Sequence, residues 1–175
     1  MTVKASIFLV LALFVLLGFR SKLRSFKNHD FYTFFVTEAL LVLLYFNIDF
    51  WFRRPFSWYQ ILSWIFLSIS IVVALSGFFG LIKYGKPIKN FENTTLLVTQ
   101  GIYGYIRHPL YTGLMFLDIG ILLKDVSLKS FIPCFISLVF LVAASKVEEQ
   151  ENLAKFGQAY ENYRKTTKNY LPFIF

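Results

Sequence analysis

The chain has 175 residues, of which 57% are hydrophobic, 20% aromatic and only 16% charged, and its mean hydropathy is +0.58. Soluble domains carry about 45–50% apolar and about 25% charged residues, so the composition is that of a single domain solvated largely by lipid. A net charge of +8 does not point to nucleic acid, because the basic residues flank hydrophobic segments instead of forming a face of their own.

Five apolar segments follow in chain order, at about 3–19, 31–52, 58–82, 109–123 and 130–146. A helical span needs roughly 20 residues, within a range of about 17–25, so the second and third are comfortable spans. The first lacks a small-residue cleavage site after Gly18-Phe19-Arg20, which separates it from a secretory signal and predicts a retained helix. The last two are short, and the linker Lys124 to Lys129 predicts a tight hairpin between them; local bilayer thinning lets such short helices cross. The expected architecture is all-α, a membrane bundle of five transmembrane helices followed by an amphipathic C-terminal helix on the cytosolic side. The whole chain, 1–175, forms one domain, with 1–90 as helical scaffold and 91–175 as the chemically active part.

Lysine and arginine divide unevenly between the two sides. Thirteen lie in the 20–30 loop, the 83–108 loop and the C-terminal tail, against five on the other side (Lys4, Arg53, Arg54, Lys124 and Lys129). Positive charge is retained in the cytosol, which predicts an outside N-terminus and a cytosolic C-terminus. The membrane would be the plasma membrane of a prokaryote or the endoplasmic reticulum of a eukaryote. The lone cysteine, Cys134, excludes an intramolecular disulfide, and His29 and His108 offer no metal-ligand spacing.

The polar residues concentrate in two stretches. The first is "GIYGYIRHPLYTG", Gly101 to Gly113. Pro109 suits the first position of a helix, where its missing N–H is no loss, and His108 before it is biased out of the helical region. A helix starting at Pro109 would aim the N–H groups of Leu110, Tyr111 and Thr112 at the cytosol, where they favour an anion. Gly113 lets a ligand or another helix approach. The same residues would equally serve as an interfacial anchor, with the tyrosines in an aromatic belt.

The second stretch, "KVEEQENLAKFGQAYENYRKTTKNYLP", opens with Glu148, Glu149 and Glu151. Val147, Leu153, Phe156, Tyr160 and Tyr163 are spaced as one apolar helical face, broken at Gly157 and Pro172. Packed helices lie about 8–10 Å apart, so the proposed hairpin brings Arg107 and His108 beside Glu148 and Glu149. One end of such a site prefers a carboxylate and the other an ammonium, the charge pattern of a free amino acid. With flanking tyrosines, it suits a cofactor that has an amino-acid end and a nucleoside end, such as S-adenosylmethionine. A solvated acidic turn paired with nearby lysines is the alternative reading.

"LVTQGIYGYIRHPLYTG" followed by "VEEQENLAKFGQAYENYRKTTKNYLPFI" resembles the isoprenylcysteine carboxyl methyltransferase and phospholipid methyltransferase superfamily, over about the last eighty residues. The resemblance implies a small all-helical membrane enzyme that encloses S-adenosylmethionine at its cytosolic end. It assigns His108, Tyr111 and the backbone after Pro109 to the cofactor, Glu148 and Glu149 to its amino group or to ordering the site, and Val98, Gly101 and Tyr103 to the nucleoside strip. Arg107, His108 and Glu149 are the candidate catalytic residues. Members that methylate a prenylcysteine carboxylate typically carry an arginine four residues before the first glutamate. Here that position is Ala144, so a carboxylate acceptor lacks its counter-charge, although the ending "LPFI" looks like that branch.

Methyl transfer would proceed by in-line displacement, with the enzyme supplying alignment and exclusion of water; His108 or a glutamate could take a proton from an amine acceptor. The acceptor, a lipid-soluble or lipidated molecule such as a prenylcysteine-like carboxylate, a phospholipid amine or a small thiol, would enter sideways from the bilayer. Two rival readings are a membrane NADPH-dependent reductase of the sterol-reductase-like type, which shares an Arg-His-Pro-x-Tyr motif, and a non-catalytic membrane binding protein. Asp118 and Glu38 are ionisable residues inside spans, where such groups face a cavity or a partner. For Asp118 a buried hydrogen bond to Ser76 or another serine of the third span is the structural expectation, and contact with the acceptor the functional one.

Overall fold

A computed structural model describes residues 3–88 and 94–172. Lys89, counted above among the loop cations, and Phe173 and Ile174 of the "LPFI" ending lie outside the described residues. Six α-helices account for most of the described residues: α1 (Val3–Phe19), α2 (His29–Asn47), α3 (Trp58–Gly85), α4 (Pro109–Leu122), α5 (Leu128–Phe156) and α6 (Gln158–Thr166). Among the described residues β-structure is limited to two isolated bridges, Pro87 with Thr94 and Ile106 with Lys168. The protein is all-helical.

Among the described residues three helical segments are long and apolar enough to cross a membrane: His29–Phe50, Trp58–Gly85 and Leu128–Phe156. With a rise of 1.5 Å per residue, the 28 residues of α3 extend about 42 Å, well beyond the roughly 30 Å of a hydrocarbon core. Val3–Phe19 and Pro109–Leu122 are shorter apolar helices. The acidic stretch after the last apolar segment does not begin a new helix. α5 runs unbroken through Glu148, Glu149 and Glu151 to Phe156, and Gly157, with a φ of 54°, supplies the break before α6.

The chain divides into two compact units, one made of Met1–Leu67 and Leu117–Glu148, the other of Ser68–Phe116 and Glu149–Phe175. In the first, the start of α2 is set by Asn28, whose side chain accepts a hydrogen bond from the Asp30 N–H at 2.9 Å. Asp30 complements the helix dipole and receives the Lys22 ammonium at 2.7 Å. α1 buries none of its own residues and lies against α2 through ring pairs, Phe8 with Tyr45 and Phe19 with Phe34, and Lys4 forms a 2.5 Å ion pair with Asp49 in the 3-10 turn after α2. A helix that exposes this much apolar surface is at home in lipid, not in water.

The core of this unit is Leu43, Leu67, Ile121 and Cys134, ringed by Leu40, Leu117, Trp51 and Trp64. Polar side chains stitch the helices together inside it. Asn47 donates to the Ser130 hydroxyl at 2.8 Å, Ser63 donates to the Gly120 carbonyl at 2.6 Å, and Ser137 donates to Asp118 at 2.6 Å. Gly120 has no room for a side chain, since Leu67 would lie 2.8 Å from its Cβ. Asp118 thus has a serine partner, as expected, but on α5 and not on the third span; Ser76 donates instead to the carbonyl of its own helix at Val72. The choice follows from α4 and α5 forming the hairpin that places these two positions face to face.

Lys124, in the α4–α5 linker, is 2% exposed. Its ammonium lies 3.5 Å from the Trp64 ring centre and 5.3 Å from that of Trp51, and it donates to Gln60 at 3.2 Å. Gln60 in turn donates to the Lys124 carbonyl at 3.0 Å. Burial pulls the Lys124 pKa below its ordinary value, and the two indole faces recover part of the lost hydration. Replacing Lys124 by Met keeps the aliphatic stem but removes the cation and orphans the Gln60 carbonyl oxygen. The expected cost is about 1–3 kcal/mol, read as a fall in the thermal midpoint of the detergent-solubilised protein, with Lys124→Arg losing less.

Candidate functional site

The second unit builds the polar site on a stripe of small residues. Ala74, Gly77 and Gly80 of α3 receive three pieces of the chain: Gly113 from α4, Pro109 at its start, and the Tyr103 ring. A Cβ on Gly77 would lie 3.0 Å from Pro109, one on Gly80 3.2 Å from Tyr103, and one on Gly113 3.0 Å from Ala74. The close approach that Gly113 allows is therefore that of a neighbouring helix. α3 ends at Gly85, whose carbonyl accepts from the N–H groups of Thr95 and Leu96 at 2.9 and 3.2 Å. Val98 is buried against Gly85, and a 3-10 turn over Gly101–Gly104 follows, opened by Gly101 at φ 64°.

The C-terminal segment docks alongside residues 105–108 like a short parallel ribbon. The Arg107 and His108 N–H groups donate to the carbonyls of Lys168 and Asn169 at 2.8 and 3.1 Å, and the Lys168 N–H donates to the Tyr105 carbonyl at 3.1 Å. The Thr112 hydroxyl donates to the Tyr170 carbonyl at 3.1 Å, and the Tyr163 phenol donates to the Tyr103 carbonyl at 2.7 Å. Burial pushes the Tyr163 phenol well above its usual range, so it stays a neutral donor.

At the centre lies Glu149, whose side chain is 16% exposed. Its Oε1 accepts from the Arg107 Nε at 2.8 Å and lies 3.5 Å from the His108 Nε2; its Oε2 has the Arg164 guanidinium 3.7 Å away. Arg107 spends its remaining donors on the C-terminal segment, reaching the carbonyls of Thr167 at 2.5 Å and Arg164 at 3.3 Å and the side chain of Asn169. The His108 ring has Tyr111 nearly parallel to it at 5.5 Å and Tyr170 at 6.0 Å. A buried carboxylate costs too much unless it is paired, and the planar guanidinium fork meets carboxylate and carbonyls at once.

The sequence-expected residues fall out as follows. Arg107, His108, Tyr111 and Glu149 share one cluster. The Tyr103 carbonyl accepts from the Tyr163 phenol, Val98 is buried against Gly85, and Gly101 opens the 3-10 turn that carries Tyr103. Glu148 is half-buried and belongs to the other compact unit. The expectation of three free N–H groups at the start of α4 is corrected, because the Thr112 N–H donates to the His108 carbonyl at 2.9 Å as an ordinary helical bond. Glu149 pairs with arginines and not with the nearby lysines that an acidic turn would use. Sequence reasoning missed Arg164, Thr167, Asn169 and Tyr170. Most of their contribution is backbone carbonyl, which leaves no mark in residue identity; the only available signal was that Arg107 has more donors than one glutamate can satisfy.

Fold and site together define an all-helical membrane protein with an ion-paired polar cradle at the start of one helix. A family model for phospholipid methyltransferases matches residues 58–159, more than half of the chain, and the protein belongs to that family. Among curated relatives, a methanethiol S-methyltransferase of Crocosphaera subtropica is 29% identical over 117 residues, 65% of this chain and 44% of that protein. A protein-S-isoprenylcysteine O-methyltransferase of Schizosaccharomyces pombe is 37% identical over 83 residues, 45% of this chain and 34% of that protein. The human protein of the same name is 36% identical over 98 residues, 53% of this chain and 33% of its own length. This chain therefore matches less than half the length of each.

Removing Arg107 leaves Glu149 under-compensated and releases the C-terminal segment. Arg107→Ala should cost on the order of 3 kcal/mol and bring early proteolytic cleavage between residues 157 and 172. Arg107→Lys, which keeps the charge but loses the fork, should fall between that variant and the parent in both thermal midpoint and cleavage rate.

Proposed function

We propose that the protein is an S-adenosylmethionine-dependent methyltransferase acting on a lipid-soluble or lipidated acceptor at the cytosolic face of a membrane. The observation that carries this reading is the Glu149 cradle: a carboxylate aligned by Arg107 and His108, with Oε2 left beyond hydrogen-bond reach of its nearest cation, Arg164 at 3.7 Å. That oxygen can accept from the ammonium of an amino-acid end, and Arg164, 42% exposed at its side chain, can swing to a carboxylate. The Tyr103 and Tyr111 rings and Val98 offer apolar faces to a nucleoside. The donor set fits S-adenosylmethionine, and the names of the relatives agree with a methyl-transferring role.

When bound, the cofactor supplies an electrophilic methyl group whose leaving group is a neutral thioether. The chain's own residues orient and dehydrate. Glu149 holds the amino-acid end, Arg107 fixes Glu149, and His108, packed by Tyr111 and Tyr170, closes the cradle against water. His108 is also the group able to take a proton released at the site. Residues 91–175 form the cofactor part and 1–90 the scaffold. Five helices cross the bilayer, with the N-terminus outside and the C-terminus cytosolic, because the cations on the cytosolic side outnumber the others.

Calorimetry on detergent-purified protein tests the cofactor. S-adenosylmethionine should bind in the micromolar range, and Glu149→Ala and His108→Ala should each weaken it at least tenfold. Binding of NADPH in its place, or of neither, would overturn the reading. Topology is checked separately by reporter fusions: a C-terminal fluorescent protein should light in the cytosol, and one fused after Phe52 should stay dark.

A further inference from the structure

The loop between α1 and α2 carries four cations in eight residues, Arg20, Lys22, Arg24 and Lys27, and none of them belongs to the cradle. Retention of positive charge on one side of a membrane accounts for their number, but not for their arrangement. The only carboxylate in the stretch 20–30, Asp30, is taken by the Lys22 ammonium at 2.7 Å, with His29 at 3.9 Å. Arg20, Arg24 and Lys27 are exposed, and among the described residues their side chains make no ion pair. The loop shapes its own tip. The Asn28 N–H donates to the Ser25 carbonyl and the Lys27 N–H to the Ser25 hydroxyl, each at 3.3 Å, which closes a turn with Phe26 and Lys27 at its centre. Phe26 is 70% exposed, although its ring meets that of Phe31 edge-on with centres 4.6 Å apart. An aromatic ring beside cations at the end of apolar helices suits the boundary between hydrocarbon and headgroups.

A fifth cation reaches the same level from α5, in the same compact unit. The stacked Phe35 and Phe140 rings and the bond from Asn47 to Ser130 fix α2 and α5 as antiparallel neighbours. Six residues back from Phe35 is His29, and six residues on from Phe140 is Lys146, each about 9 Å along its helix. The exposed Lys146 therefore stands near the level of the loop. At this end of the unit the four loop cations and Lys146 outnumber two acids, Asp30 and Glu148.

We infer that this end of the unit is a binding surface for anionic phospholipid headgroups, with the Arg20, Arg24 and Lys27 side chains on the phosphate oxygens and the Phe26 ring among the acyl chains. A guanidinium meets phosphate oxygens with paired donors, and a lysine meets them as a point charge. A zwitterionic headgroup brings its own ammonium and gains less. Each Lys or Arg held near an anionic surface strengthens the attraction about fivefold, and salt weakens it. Cytosolic leaflets carry anionic lipids, in keeping with the topology proposed above. The surface does not depend on the methyltransferase reading.

The test replaces Phe26 by the photocrosslinker p-benzoylphenylalanine in the full chain, reconstituted into vesicles of phosphatidylcholine with a minor share of phosphatidylglycerol. After illumination, mass spectrometry reads which lipid is attached. Phosphatidylglycerol should be captured at least threefold above its share of the bilayer, and less so as ionic strength rises. Arg20→Gln, Arg24→Gln and Lys27→Gln together should abolish the enrichment at an unchanged thermal midpoint, because the cations removed are exposed and make no ion pair. Arg53→Gln with Arg54→Gln, which removes exposed cations at the opposite end of α2, should leave it intact. Capture in proportion to bulk composition, absence of any lipid adduct, enrichment that survives in the triple variant, or equal loss in the Arg53 and Arg54 variant would overturn the assignment. So would loss of the enrichment on adding inorganic phosphate but not chloride at the same ionic strength, which would make the surface a site for free phosphate.

Discussion

The carboxylate of Glu149, carried almost into the interior about two turns before the end of a 29-residue helix, sets the terms for the unit around it. Such a charge must be matched by cations and donors or it destabilises the fold by several kcal/mol. Arg107 does the matching, and its planar fork has donors left over. They capture the carbonyls of Arg164 and Thr167 and the Asn169 side chain, which brings the C-terminal segment against residues 105–108. Tyr170 and Tyr111 then both pack against the His108 ring. One ion pair thus leads to a docked tail and a fixed imidazole.

The backbone beneath that cluster depends on missing side chains. Gly77, Gly80 and Gly113 let α3, the start of α4 and the Tyr103 turn approach to distances at which any Cβ would press on its neighbour. Here glycine serves packing more than backbone freedom, since helix surfaces without side chains let the chain axes come close. Only Gly101 and Gly157, both at positive φ, are needed for their conformation. In the other unit the same economy holds with polar groups. Serines, an asparagine and a glutamine bind across helices in an interior that has no water to satisfy them.

Much of this was legible beforehand. The apolar runs mark the starts of α1 to α5 to within two residues but not the end of α5, and the step from His108 to Pro109 marks the first residue of α4 without error. The hairpin argument brought Glu149 to Arg107 and His108 from helix spacing alone. Legibility failed where the partner is a backbone carbonyl, as for Arg107 with Thr167 and Thr112 with Tyr170, because any residue type carries that group. It also failed in choosing among equivalent serines. Nothing in the identity of Ser76 or Ser137 says which one faces Asp118, and only the rotation of each helix about its axis decides it. The continuation of α5 through its glutamates was hidden because an apolar window ends where hydropathy falls, while the helical backbone does not.

The sequence by itself determined that this is an all-helical membrane protein with two polar motifs in its last eighty or so residues, because composition, run length and motif order are local properties of the chain. The tertiary structure alone decided which oxygen of Glu149 is spent, that Arg107 ties down the C-terminal segment, that Gly113 admits a helix, and that one oxygen of Asp118 is buried without a partner. Each of those facts depends on how side chains distant in sequence share one small volume, and no pattern along the chain encodes the angle at which two helices meet.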